Sequence, residues 1–389
     1  MKVPMSSPDL GEAEREAVMA VLRTPRLSMG TELEAFERAL AAAAGARFAV
    51  GVSSGTTGLH LAVRATGVHD GDWVITTPFS FVASANAILY ERALPVFVDV
   101  DPVTGNIDPG PAAEAAADLV QKGSAAQRWL PRRGVTEWGR LRALLAVDVF
   151  GQPADYDRLR RVTQEHALTL IEDACEALGA SYHDRPAGRL GDIGVFGFYP
   201  NKQITTGEGG AVVTDDGAWA ELVRAMTNQG RAAGDTWLEH SHLGFNYRLD
   251  EMSAALGRVQ LGRLDELMAK RGRVAGWYAE RLAGVAGVET PHTVPSTTRR
   301  SWFVYVIRLD PARDRREVAK RLEGLGIPTR PYFSPIHLQK YMREGFGYRE
   351  GDYPVAEDLG RRSLALPFSS VMTEDQVDLV SQAVVQVVG

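Results

Sequence analysis

The chain has 389 residues, of which 45% are apolar and 24% charged, and its formal net charge is −6. A length well above the ~250–300 residues of a single core predicts two domains. Acidic and basic residues are interspersed and the balance is acidic, which excludes the basic surface of a protein that binds nucleic acid or anionic membranes. A single cysteine excludes an intrachain disulfide and a cysteine-based metal cluster.

The first nine residues contain no apolar segment of the kind found in a signal peptide. No uninterrupted apolar stretch approaches the ~20 residues needed to span a bilayer. We therefore expect a cytoplasmic enzyme that uses no metal.

Short apolar runs without polar alternation recur through the first half of the chain, separated by helical patterns. The runs are residues 48–52, 73–76, 95–100, 144–148 and 168–173. Strands of this type are buried on both faces, which predicts a mostly parallel sheet covered by helices. Ligands in such folds bind at the carboxyl ends of the strands. Three aspartates, Asp99, Asp148 and Asp173, stand at or near such ends.

The segments after the first two strands could contact a ligand. Residues 52–59 form a strand end, a turn of small residues and a helix start, where N–H groups and hydroxyls can cradle a phosphate. Ordinary helix capping is the simpler interpretation of that turn alone. Phe79 and Phe81 follow the second strand and could stack on a flat ring, although we favour core packing for Phe79.

Residues 110–142 are harder to place in this pattern. They predict a helix followed by a basic loop that carries a tryptophan. We interpret the segment as a surface excursion between two strands. Binding of an anionic substrate by this segment is the weaker alternative.

Lys202 is an isolated lysine in an aromatic, glycine-rich stretch, residues 196–210. Asp173 ends a buried strand 29 positions earlier. Pyridoxal phosphate chemistry requires such a pair, because a lysine amine forms a Schiff base with the aldehyde and a carboxylate keeps the pyridine nitrogen protonated. Taken singly, Asp173 could cap a helix and Lys202 could lie on the surface.

The pattern changes near residue 250. Asn246 and Arg248 lie in a loop before a long helical stretch at residues 249–270, and an amide and a guanidinium both suit phosphate oxygens. A strand at 302–307 and helices at 315–325 and 373–388 complete a predicted α+β domain. We therefore predict a large domain over residues 1–250 and a small C-terminal domain over residues 251–389.

Together these motifs resemble the DegT/StrS family of sugar aminotransferases from about Pro8 to the C-terminus. The matching segments are residues 53–56, 95–100, 150–155, 172–174, 196–210, 246–248 and 335–339. The resemblance implies an α/β fold of type I, the architecture of aspartate aminotransferase. Its large domain has a mostly parallel central sheet flanked by helices, and its smaller C-terminal domain is α+β.

Position by position, the resemblance implies a pyridoxal 5'-phosphate site. Lys202 forms the Schiff base and later shuttles the proton, Asp173 pairs with the pyridinium nitrogen, and Phe81 stacks on the ring. The remaining cofactor residues are Gly55, Thr56, Thr57, Glu176, Asn201 and Asn246.

The residue that matches Asn246 reaches the phosphate from the neighbouring subunit in relatives, so the resemblance implies a homodimer with shared active sites. It also implies a set of residues near the substrate: Tyr199, Arg248, Tyr332 and His337.

Two positions depart from the family pattern. Many relatives bind phosphate with a serine five residues before the lysine, where this chain has Gly197, so Asn201 or a backbone N–H would have to compensate. Relatives usually carry Gln or His three residues after the aspartate, where this chain has Glu176. A carboxylate near the ring hydroxyl should have a raised pKa or turn towards the substrate amine.

The resemblance implies transfer of an amino group from glutamate or glutamine to a keto sugar, most plausibly a nucleotide-linked 3- or 4-keto-deoxysugar. A cyclitol aminotransferase of an aminoglycoside-type pathway is the nearest alternative, and a cofactor-binding regulator is the remote one. A dehydratase branch of the family has histidine in place of the lysine, so Lys202 argues against it.

Overall fold

The computed structural model of the chain describes residues 3–135 and 138–389. Its strands are β1 Phe48–Val52, β2 Trp73–Thr76, β3 Leu94–Phe97, β4 Leu141–Val147, β5 Thr169–Asp173, β6 Ser181–Tyr182, β7 Arg185–Pro186, β8 Ile193–Gly197, β9 Gly210–Thr214, β10 Val288–Glu289, β11 Thr297–Arg299, β12 Tyr305–Leu309, β13 Arg330–Pro331 and β14 Ser363–Leu366. Its helices are α1 Glu12–Leu22, α2 Thr31–Ala44, α3 Gly55–Ala65, α4 Ala83–Tyr90, α5 Pro109–Gln121, α6 Ser124–Gln127, α7 Tyr156–Glu165, α8 Gly217–Thr227, α9 Glu251–Gly262, α10 Leu264–Leu282, α11 Arg315–Gly324, α12 Lys340–Phe346, α13 Pro354–Arg362 and α14 Glu374–Val388.

The central sheet has seven strands in the order β1-β9-β8-β5-β4-β2-β3. Strand β9 is antiparallel to both of its neighbours, and the other strand pairs are parallel. Each face of the sheet packs against its own apolar core. Consecutive residues of a strand therefore belong to different cores, as Leu170 and Ile171 do. Burial on both faces explains the unbroken apolar runs, and the predicted mostly parallel α/β sheet is confirmed.

The C-terminal part has its own antiparallel sheet, in the order β10-β12-β14-β13. Helices α10, α11 and α14 contribute to a third apolar core around it, and this core also includes Val3. A small third sheet pairs β11 with β6, which links the two parts. The domain boundary at residue 250 stays a prediction, because segments from both ends of the chain pack together.

Two predicted elements differ from the structure. The helical stretch at 249–270 is two helices, α9 and α10, with Arg263 between them. The predicted strand at 302–307 lies three residues later, as β12. The start of α14 lies within one residue of its predicted position. Helix capping explains this, because the Thr373 side chain accepts the N–H of Gln376 there.

The excursion at 110–142 contains the predicted helix as part of α5 and continues through α6 into a loop, of which Thr136 and Glu137 lie outside the described residues. Trp129 Nε1 donates to Asp118 Oδ2 at 2.8 Å, and Arg132 pairs with Asp352 at 2.6 Å. These contacts tie the excursion to its own helix and to the C-terminal part. Among the described helices, none is both long and apolar enough to cross a bilayer.

Candidate active site

A cavity of about 450 Å³ opens at the carboxyl ends of β5 and β8, beside the N-terminus of α3. This is the sheet edge at which ligands bind in open α/β folds. Nine of the predicted site residues are among those that line it: Gly55, Thr56, Phe81, Asp173, Glu176, Tyr199, Asn201, Lys202 and Tyr332. Tyr332 comes from the C-terminal part of the chain.

Asp173 is the last residue of β5 and is 5% exposed. Ser84 of α4 donates its hydroxyl to Asp173 Oδ2 at 2.7 Å, and the Cys175 N–H donates to Oδ1 at 3.2 Å. Ser80 Oγ lies 2.9 Å from Ser84 Oγ. These donors fix the orientation of the carboxylate in the cavity wall.

The other two strand-end aspartates have structural partners. Asp99 accepts the N–H groups of Val355 and Ala356 at 2.9 Å each, at the start of α13. Asp148 is fully buried and accepts the hydroxyl of Tyr156 at 2.9 Å. Of the three aspartates, Asp173 is the one that lines the cavity.

Lys202 lies in the loop between β8 and β9, and its ammonium faces an aromatic ring and a carboxylate. Its Nζ is 3.7 Å from the centroid of the Phe303 ring, a cation–π contact, and 3.8 Å from Glu176 Oε1. Both partners are themselves buried, since Phe303 is 3% and Glu176 6% exposed. The amine is therefore held in a pocket with little water.

Burial raises the pKa of Glu176, and the nearby Asp173 raises it further, whereas the ammonium of Lys202 and the Phe150 N–H act to lower it. The Phe150 N–H donates to Glu176 Oε2 at 2.9 Å. The predicted rise in the pKa of this carboxyl agrees with its surroundings, in which burial is the main cause.

The N-terminus of α3 faces the same cavity. Ser54 caps the helix by accepting the Thr57 N–H at 3.1 Å, and Thr57 Oγ1 accepts the Ser54 N–H at 3.0 Å. The first-turn N–H groups of a helix have no partner within it, so those of Gly55 and Thr56 are available to an anion. A Cβ on Gly55 would stand 2.8 Å from Cys175 Sγ, so glycine is required beside that thiol.

Lack of space does not explain why this chain has Gly197 where many relatives have a serine. A Cβ there would stand 3.5 Å from Cys175 Cβ and 3.6 Å from the Gly55 Cα, which are ordinary contacts. The space at this position therefore admits a Cβ, so glycine is not required there for steric reasons.

Four predicted site residues lie outside the cavity wall of this single chain. Thr57 is engaged in the capping of α3, and exposed Asn246 forms a β-bridge with Asn228. Arg248 donates to Gln229 Oε1 at 2.7 Å, and fully buried His337 lies 3.0 Å from Glu357 Oε1. Their roles stay predictions, and for His337 the burial favours a structural role.

Sequence reasoning missed Ser84, Phe303 and Cys175, all of which line the cavity. Ser80 and Ser84, four residues apart at a helix start, were the available signal for a hydroxyl pair. Phe303 lies about 100 positions after Lys202, and nothing in the local sequence indicates that contact. Phe79, by contrast, is 1% exposed and packs on Phe333, as predicted.

The model of the DegT/DnrJ/EryC1/StrS aminotransferase family matches residues 8–385. The GDP-perosamine synthase of Caulobacter vibrioides is 36% identical over an alignment of 389 residues that covers 99% of this chain and 98% of that protein. The dTDP-3-amino-3,4,6-trideoxy-alpha-D-glucose transaminase of Streptomyces venezuelae is 36% identical over 375 residues, 96% of this chain and 91% of that protein. The solved structure of S. venezuelae DesV in complex with a ketimine intermediate has a TM-score of 0.87 and 34% identity, with 99% of this chain and 98% of that chain covered.

Ser84→Ala should leave Asp173 Oδ2 without its hydroxyl donor and so loosen the carboxylate. We expect the rate of amino transfer to fall about tenfold, which corresponds to ~1.4 kcal/mol. Ser80→Ala is the matched control, because its hydroxyl contacts Ser84 rather than Asp173, and it should lower the rate less than about threefold. Steady-state kinetics of both variants make the comparison, and equal losses in the two would contradict the role assigned to Ser84.

Proposed function

The chain belongs to the DegT/DnrJ/EryC1/StrS aminotransferase family, and we propose that it uses pyridoxal 5'-phosphate to move an amino group from glutamate or glutamine to a nucleotide-linked keto sugar. The observation that carries the proposal is the presence of a largely buried amine, Lys202, which is 14% exposed, and a fixed carboxylate, Asp173, in one cavity beside a helix N-terminus. The cyclitol alternative is not favoured, because the relatives named above act on sugars linked to GDP or dTDP.

The residues of the cavity fit this cofactor. The N-terminus of α3, with the N–H groups of Gly55 and Thr56, would bind its phosphate. Asp173 would pair with the ring nitrogen, and the ring of Phe81, which is 61% exposed, would lie against the ring face. A volume of about 450 Å³ is in the usual range for a cofactor site.

When bound, pyridoxal phosphate supplies an aldehyde and a ring that accepts electrons. The chain's own residues supply the rest. Lys202 holds the cofactor through its amine and, once released, moves a proton at its Nζ. Asp173 would place its carboxyl group at the ring nitrogen, and the apolar wall formed by Phe303 and Phe333 would keep water from the reacting atoms.

A second pocket of about 670 Å³ adjoins the first and offers space for a nucleotide. It shares Phe81, Tyr199 and Tyr332 with the inner cavity and extends outwards to Arg330. The guanidinium of Arg330 suits the oxygens of a diphosphate. The arrangement supports a substrate whose keto sugar enters the inner cavity while its nucleotide stays in the outer pocket.

The substrate class is tested with protein in the pyridoxamine phosphate form. It is mixed separately with nucleotide-linked keto sugars, the same sugars without the nucleotide, and keto-inositol, and the return of the aldehyde form is followed by absorbance. We expect return with a nucleotide-linked sugar and at least about a hundredfold slower return without the nucleotide, because distant binding energy is used at the reacting centre. Return with keto-inositol alone would replace the proposal with the cyclitol function.

Lys202 should carry the cofactor. Borohydride reduction of the cofactor-loaded protein, followed by peptide mapping, should place the label on Lys202, since its amine lies in the cavity wall. Lys202→Ala is expected to bind the cofactor without forming a reducible bond. Lys270, paired with Asp9 at 2.8 Å, serves as the internal control and should stay unlabelled. A label on another lysine contradicts the assignment.

We further propose a homodimer with shared active sites. Asn246 is exposed and lies outside its own chain's cavity wall, so it can serve a neighbouring one. The loop before it carries three large apolar side chains that are 74–82% exposed: Trp237, Leu238 and Leu243. Such exposure on one loop supports burial against a second copy of the chain.

Mixing experiments test the shared site. Lys202→Ala and Asn246→Ala homodimers should each have little activity, but a mixed dimer collects both lesions in one site and leaves the other intact. Activity should therefore partly return after subunit exchange, towards a quarter of the wild-type value if subunits mix at random, because half of the dimers then have one intact site of two. Mass spectrometry confirms the exchange, and exchange without recovery contradicts the shared site.

Glu176 should contribute an acidic limb to the pH profile of the first half-reaction. Its raised pKa means that it takes up a proton at a higher pH than an ordinary glutamate, which removes its charge from beside Lys202 as the pH falls. Glu176→Gln keeps the shape and removes the titration, so the variant should stay active with its acidic limb shifted or lost. Pre-steady-state conversion by glutamate across pH is the measurement, and superimposable profiles would show that Glu176 does not titrate there.

A further inference from the structure

Arg271 of α10 is a buried cation without a carboxylate partner among the described residues. It is 2% exposed, and its guanidinium donates to four backbone carbonyls. Nη1 donates to the oxygens of Trp302 at 3.0 Å and Phe303 at 3.2 Å. Nη2 donates to the oxygens of Asn201 at 3.2 Å and Lys202 at 2.6 Å.

Burying the charge of Arg271 has an energetic cost. Burial lowers the pKa of Arg271 to about 10, because no negative charge offsets the loss of water around the guanidinium. Its Nε has no hydrogen-bond partner. The four carbonyl oxygens and the ring of Phe368, whose centroid is 5.6 Å from Cζ, are what offset this cost, and they fix the guanidinium in one orientation.

The two bonded segments meet at the reacting amine. One carries Lys202, and the other carries Phe303, whose ring centroid is 3.7 Å from Lys202 Nζ. A planar guanidinium has five N–H donors in a rigid fork, so one side chain can fix both segments at once. Helix α10 is a firm support for it, since Leu267 packs in the central core and Val274 in the C-terminal core.

We propose that Arg271 is a positioning residue for amino transfer, which clamps the backbone of Asn201–Lys202 to that of Trp302–Phe303 and so holds the Lys202 amine against the Phe303 ring. The inference rests on the proposed function, because it takes Lys202 as the reacting amine. The same clamp joins the C-terminal part of the chain to the central sheet at the active site.

Arg271→Lys tests the clamp, because an ammonium keeps the charge but presents its three donors at a single point. Hydrogen exchange of the cofactor-free protein is the first readout. The amides of Lys202 and Thr206 are bonded to Tyr199 and Phe198, at 2.9 and 3.1 Å, and report on the lysine segment. We expect their exchange to become about tenfold faster in the variant, while amides of α14 keep their rates.

The second readout is the kinetics of the loaded enzyme, in which kcat should fall at least about tenfold with a smaller change in KM, as for a misplaced reacting group. The matched control is Arg308→Lys. Arg308 also bonds two carbonyls, those of Pro102 and Val103, at 2.6 and 2.7 Å, but none in the cavity wall. The hydrogen exchange of the lysine segment and the kinetic constants should both be unchanged in Arg308→Lys. If Arg271→Lys fails to fold, Arg271→Gln, which buries no charge, carries the same measurements.

Unchanged exchange in the lysine segment, or an equal increase throughout the C-terminal core, overturns the proposal and leaves Arg271 as an ordinary structural residue. The exchange measurement uses neither cofactor nor substrate, so its outcome is independent of the proposed function. The borohydride label decides that function separately.

Discussion

The position of one amine between an aromatic ring and a carboxyl group is the constraint on which the site depends. Lys202, Asp173 and Glu176 all line a cavity with little water, where an unpaired charge is costly. Each carboxylate is therefore held by fixed donors, Asp173 by a hydroxyl and an N–H and Glu176 by the Phe150 N–H. With the charges held in place, the amine and the carboxylate at the two sides of the cavity need little reorganisation before reacting.

The parallel sheet makes this arrangement possible. The carboxyl ends of its strands lie at one edge, so Asp173 at the end of β5 and the lysine loop after β8 become neighbours although they are 29 positions apart. The helix that follows β1 presents its N-terminus at the same edge. One edge therefore brings together a carboxylate, an amine and an anion-binding helix end, each supplied by the normal connection of its own strand.

Apolar runs in the sequence were sufficient to predict five of the seven strands of the central sheet and the α/β class, and the family resemblance supplied most of the predicted residues in the cavity wall. They failed where the contact is made across the chain. Phe303 and Arg271 reach Lys202 from the C-terminal part, and His337 matches the family motif yet lies buried beside Glu357. The break between α9 and α10 at Arg263 was also invisible, since apolar periodicity continues through it and the break is stabilised by long-range ion pairs to Asp9 and Glu14.

A second pair of acids, Asp148 and Glu172, is fully buried next to the site. Burial raises the pKa of Glu172, and the three backbone N–H groups that it accepts act against that rise, whereas Asp148 Oδ2 has no hydrogen-bond donor. Burial and the neighbouring Glu172 raise the pKa of Asp148 well above its ordinary value. Neither Asp148 nor Glu172 is among the residues that line the cavity. The carboxyl groups that line it are those of Asp173 and Glu176, and that of Glu176 lies beside the Lys202 amine, so the sheet keeps one pair of acids in its interior and presents the other to the site.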